Sequence, residues 1–98
     1  MDFIYALGSP ITGDIYYVGR TAKPSQRWTE HCKRTENYSD SLRHRANTHI
    51  LRLGLKPVML ILERDAKEPA KAEKHWIMAM RTFGYTLTNG GEKVVRAL

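Results

Sequence analysis

With one cysteine, Cys32, the chain can form neither an internal disulfide nor a thiolate metal cluster, and a reducing setting is expected. Long apolar runs are missing as well. The longest, such as residues 58–62, fall far short of the ~20 residues of a membrane helix, and no basic N-terminal region leads into an apolar run. An intracellular protein, cytoplasmic or nucleoid-associated and with no membrane partner, is therefore expected. Acidic residues are in deficit: 10 Asp and Glu stand against 16 Lys and Arg, for a net charge of +6. That balance puts a polyanion first among partners. Repeats, linkers and low-complexity segments are absent too. At 98 residues and 42% hydrophobic composition, the chain is expected to be one folded domain, 1–98.

What is there reads as short strands and helices in alternation. Residues 3–7 alternate as a strand, Gly8-Ser9-Pro10 and Thr12-Gly13-Asp14 turn the chain, and residues 15–19 form a second strand, most simply an antiparallel hairpin. Alternation puts Phe3, Tyr5 and Leu7 on one face and Ile15, Tyr17 and Gly19 on one face of the partner. Pro24 suits a helix start, and the helix should run to about Lys33 with Trp28 and Cys32 as apolar anchors. Ser39 or Asp40 can cap a second helix reaching to about Leu53. Its stripe by spacing is Leu42, Ala46, His49, Ile50 and Leu53, with Arg43, Arg45 and Arg52 mostly away from it. His44 is expected to be solvated and His49 half-buried, neither with ligand partners at metal spacing. Gly54 and Pro57 end this helix. Residues 58–62 are continuously apolar, which predicts a strand covered on both faces, in the middle of the sheet or under helices. Pro69 opens a third helix that Gly84 closes, with Trp76, Ile77, Met80 and Phe83 as its stripe.

Two features of this pattern carry chemistry. Arg27 and His31 lie four residues apart and share a helix face just beyond the strand that bears Tyr17. A fixed cation, an imidazole and a phenol in one place suit action on an anion. Glu73 falls in the third helix's apolar stripe, where a carboxylate is costly to desolvate unless a cation or metal takes up its charge. The plain alternatives are a glutamate reaching solvent at the end of the stripe and tyrosines that only fill the core.

Taken together, these residues resemble the GIY-YIG nuclease superfamily. Phe3-Ile4-Tyr5 and Tyr17-Val18-Gly19, separated by residues 6–16, match its two signature strands. Arg27 and His31, then Glu73, then Asn89 beside Gly90-Gly91 continue the match in order. Phe3 stands where the signature has glycine, and Val18 replaces isoleucine. The resemblance implies an α+β fold, a small three-stranded antiparallel sheet flanked by helices, with both tyrosines, Arg27, His31 and Glu73 converging on one concave face. It implies a divalent-metal-dependent DNA endonuclease with Tyr5 as general base assisted by His31. Arg27 would stabilise the transition state, and Tyr17 and Asn89 would position the phosphate or base. Glu73 would hold one Mg²⁺ or Mn²⁺ ion. Arg20, Lys23, Arg43, Arg45 and Arg52 are the candidate DNA contacts. Target choice would be built into this domain or supplied by a separate DNA-binding module or partner. The alternative is a non-cleaving nucleic-acid-binding module of the same fold.

Overall fold

The computed structural model describes residues 1–33 and 41–89. The elements are β1 (Phe3–Gly8), β2 (Ile15–Thr21), α1 (Pro24–His31), α2 (Leu42–Arg52), β3 (Val58–Glu63) and α3 (Pro69–Thr82). The strands form an antiparallel sheet in the order β2-β1-β3, and helices lie against it, an α+β fold as expected. Being central, β1 is the most deeply buried element, with Ile4, Ala6 and Leu7 wholly out of solvent. Burying the side chains of Ile4 and Leu7 contributes roughly 1.5–3 kcal/mol each.

The sheet has a different job on each face. On one, Ile4, Ala6, Ile15 and Val18 pack with Met80, Ala72, Trp76 and Ile77 of α3. On the other, Tyr5, Leu7 and Tyr16 pack with Ile50 and Ala46 of α2 and with Met59 and Ile61 of β3. The first face is a plain apolar core. The second mixes apolar packing with the phenols.

Several expectations need correction. β3 is an edge strand, not a central one, because the two strands of the hairpin pair first and β3 adds to the free side of β1. Since α3 packs across β1 and β2, Val58 and Leu60 remain 43% and 46% exposed, while Met59 and Ile61 on one face and Leu62 on the other supply the burial that the apolar run implied. Ile15 is not on the Tyr17 face. Pairing jumps from Leu7↔Tyr17 to Gly8↔Ile15, so Tyr16 is an extra residue in β2, and this bulge sends Ile15 to the α3 face and Tyr16 to the tyrosine face. β2 also continues beyond Gly19 to Thr21.

The helices depart from expectation mainly in which side they bury. α1 stops at His31, which is its buried residue, while Trp28 anchors it by donating from Nε1 to the carbonyl of Pro57 at 2.8 Å. α2 is capped by Ser41, whose hydroxyl accepts from the His44 N–H at 3.0 Å; Ser39 and Asp40 lie outside the described residues. Its buried positions are Asn47 and Ile50, with His49 and Leu53 exposed and His44 half-buried, because the helix is rotated to bring Arg43 and Asn47 toward the sheet. Gly54 closes it at φ 80°, as expected. Phe83 lies beyond the last turn of α3 and is exposed, so the stripe ends at Met80.

Candidate active site

The hairpin register places Tyr5 opposite Gly19 and Leu7 opposite Tyr17, so both phenols rise from the α2 face. Their rings form a triangle with the His31 imidazole: centroids are 6.1 Å apart for Tyr5 and Tyr17, 5.8 Å for Tyr5 and His31, and 6.0 Å for Tyr17 and His31. Gly19 makes this possible. A Cβ there would lie 2.7 Å from Cζ and Oη of Tyr5 and 2.8 Å from Cε2 of Tyr17, well inside van der Waals contact.

His31 is 4% exposed and sits at the centre of a polar network. Its Nε2 is 2.8 Å from the Tyr5 hydroxyl, and its Nδ1 is 3.0 Å from Arg43 Nη1 and 3.2 Å from Asn47 Nδ2. The Tyr16 hydroxyl donates to Asn47 Oδ1 at 2.5 Å, and the Arg43 guanidinium lies 5.6 Å from the centre of the Tyr17 ring. Burial, followed by the charges of Arg43 and Arg27, pushes the His31 pKa down to about 4. The imidazole is therefore neutral at pH 7. Burial, and behind it the nearby Tyr17, raises the Tyr5 phenol above its ordinary value, while Arg27 and Arg43 pull the other way.

Arg43, expected to face DNA away from the core, thus belongs to the tyrosine cluster. Asn47 and Tyr16 were not anticipated at all. The available signal was Arg43, Asn47 and Ile50 at i, i+4 and i+7, a second reading of the α2 stripe that contains a polar residue. No sequence signal marks the bulge that brings in Tyr16.

The remaining expected residues are placed differently. Arg27 is half exposed and pairs with Glu30 on its own helix at 3.4 Å, within electrostatic reach of Tyr5 and His31. With Thr21, Lys23 and Gln26 it lines a hollow of about 240 Å³ at the junction of β2 and α1. Arg45 and Arg52 are exposed on α2. Glu73 is not sealed in the core; its side chain is 26% exposed and lies 3.6 Å from Arg20, which leaves β2 on the α3 face beside Ile4 and Val18. Hydrogen bonds and ring contacts therefore join Tyr5, Tyr17, His31 and Arg43 on one face, while Glu73 meets the edge strand from the other.

Asn89 serves as an extra strand for β2. Its Oδ1 accepts from the Val18 N–H at 2.9 Å and its Nδ2 donates to the Val18 carbonyl at 2.6 Å, while Thr88 donates from its N–H and its hydroxyl to the Tyr16 carbonyl. Gly90 and Gly91 lie outside the described residues. Asn89→Ala would leave both Val18 groups without those partners, and at about 1–3 kcal/mol per unsatisfied buried group a loss of about 2–6 kcal/mol is expected. Urea unfolding measures it; a variant as stable as the parent would show that water replaces the amide.

A family model described as the GIY-YIG catalytic domain matches residues 1–86 of the 98. The chain belongs to the GIY-YIG family. Searches of curated proteins and of solved structures gave no match. GIY-YIG domains are nucleases and generally depend on a divalent metal, so this GIY-YIG chain carries a nuclease fold. The match stops short of Asn89, whose placement rests on its contacts with β2 alone. Among the described residues no three His, Cys, Asp or Glu side chains cluster as a metal site. A Mg²⁺-type ion does not need such a cluster, since it keeps several waters and takes one or two carboxylates plus substrate phosphate. Glu73, partly exposed and held by one loose ion pair, fits that requirement.

Proposed function

We propose that the protein is a metal-dependent DNA endonuclease in which Tyr5 is the general base that activates water against a backbone phosphorus. The observation that carries this reading is the Tyr5 oxygen itself, fixed at 2.8 Å from a neutral imidazole and within the field of two arginines. Charge interactions at such a poorly solvated oxygen are stronger than at the surface. Arg27 offers donors to a non-bridging phosphate oxygen, and the adjacent hollow with Lys23 has the charge to seat a phosphate. Tyr17, less buried than Tyr5, orients the phosphate, and Asn89 acts by holding β2 in place. Glu73 would hold the one divalent ion, displacing Arg20. When bound, the ion supplies relief of negative charge on the phosphate and the leaving oxygen. Exposed Arg45 and Arg52 continue the positive surface along α2.

The test is incubation of purified protein with labelled linear, nicked and branched DNA, with Mg²⁺ and with EDTA. Cleavage is expected only with the metal. Glu73→Gln keeps the side chain's shape and removes the charge, so it should lose cleavage by at least 10²-fold and retain DNA binding. Near-parental cutting by this variant would remove Glu73 from the metal. Binding without cleavage under every condition would favour a binding module.

A further inference from the structure

We infer that Arg43 and Asn47 of α2, with Tyr16 behind Asn47, hold His31 as the Nε2–H tautomer, so that its imidazole donates to the Tyr5 oxygen and does not accept the Tyr5 proton. Arg43 decides the matter because a guanidinium has donors only. Its Nη1 lies 3.0 Å from Nδ1, which must therefore be the unprotonated nitrogen. Asn47 could in principle turn either end of its amide toward His31. The arginine requirement selects the orientation with Nδ2 facing Nδ1, and the Tyr16 hydroxyl then donates to Oδ1 at 2.5 Å. A neutral imidazole with two donors on Nδ1 carries its proton on Nε2, and Nε2 faces Tyr5.

Other groups around His31 agree with this assignment. Among the described residues they are Tyr5 on β1, Tyr17 on β2, Arg43 on α2 and Arg27 on its own helix. None is a carboxylate, and both arginines oppose a charged imidazole. His31 therefore stays neutral, and its N–H steadies the Tyr5 oxygen whenever negative charge grows there. The Tyr5 proton leaves toward Tyr17 or solvent. Asn47 and Tyr16 become positioning residues for a base they do not touch. This consequence for catalysis rests on Tyr5 acting as the base, whereas the tautomer does not.

Long-range ¹H–¹⁵N correlation spectra of histidine-labelled protein read the tautomer directly. In the parent protein His31 is expected to show a bare Nδ1 and a protonated Nε2 from pH 8 down to about pH 5. Asn47→Asp is isosteric, keeps an acceptor for Tyr16 and replaces the donor on Nδ1 with a carboxylate. Because the new carboxylate also draws the Arg43 guanidinium off Nδ1, it should move the proton to Nδ1 and raise the His31 titration midpoint from about 4 to or above the ordinary ~6.5. In cleavage assays the same variant should gain an inflection between pH 5 and 8 that the parent lacks. A parent His31 that is Nδ1-protonated or charged at pH 7 overturns the inference, as does an Asn47→Asp protein whose tautomer and titration are unchanged. The parent spectrum decides even where the variant fails to fold. Absence of cleavage alongside the expected tautomer rejects the nuclease reading alone.

Discussion

Tyr5→Phe is expected to slow single-turnover cleavage by about 10²–10⁴-fold, the usual cost of losing a general base, without unfolding the protein. The ring stays, so its packing with Leu7, Tyr16 and Ile50 is kept. What disappears is the partner of His31 Nε2, and an unsatisfied buried donor costs about 1–3 kcal/mol of stability. The pH dependence has a definite sign. Because the Tyr5 phenol is raised above its ordinary value near 10, its ionised fraction should grow about tenfold per pH unit through the neutral range, and kcat/KM should climb with it. His31, down at about 4, should add no break near pH 6.5. Tyr5 is only 1% exposed and Tyr17 is half-buried, so the comparison with Tyr17→Phe is the informative one. A smaller loss is expected for Tyr17→Phe. The reverse order would transfer the base role to Tyr17, and a flat pH profile would rule out a phenol as the base.

Gly19→Ala is expected to slow cleavage as well and, unlike Tyr5→Phe, to act on both phenols together. The added methyl needs room now filled by the end of the Tyr5 ring and the edge of Tyr17. Tyr5 cannot yield easily, because it is buried and hydrogen-bonded to His31. Overpacking of this kind costs about 1–3 kcal/mol, and a displacement of about 1 Å at reacting groups can cost 10²-fold in rate. Thermal melts with single-turnover rates measure both. Gly8→Ala is the control, since a Cβ there meets nothing nearer than the Asp14 carbonyl at 3.6 Å. Equal tolerance of the two alanines would mean that the tyrosines shift freely.

The hairpin, the helix starts at Pro24 and Pro69, and the shared face of Tyr5 and Tyr17 were legible because they depend on local rules: alternation, fixed proline geometry and turn residues. The edge position of β3 was not legible. An apolar run reports burial, and here Met59 and Ile61 pack on the tyrosine face and Leu62 on the α3 face, while Val58 and Leu60 stay exposed. The rotation of α2 was lost for a similar reason, since Leu42, Ala46 and Leu53 make an apolar stripe as convincing as the one set by Asn47 and Ile50. Glu73 stands out within an apolar stripe, but its partner, Arg20, comes from another element, and sequence spacing carries no information on such a pairing. Tyr16 required knowledge of a one-residue register shift that tertiary packing selects.

The closure of β2 by Thr88 and Asn89 also has a bearing on how the chain is made. The hairpin is local and can form as soon as its residues emerge, but the amide that completes its outer edge is 71 residues further along. Until then Tyr16 and Val18 present free backbone groups, the kind of template that recruits other strands. The tyrosine-bearing strand is thus among the first parts able to fold during synthesis and among the last to be shielded. A ribosome pausing before Asn89 emerges would prolong the interval in which this strand is open to mispairing.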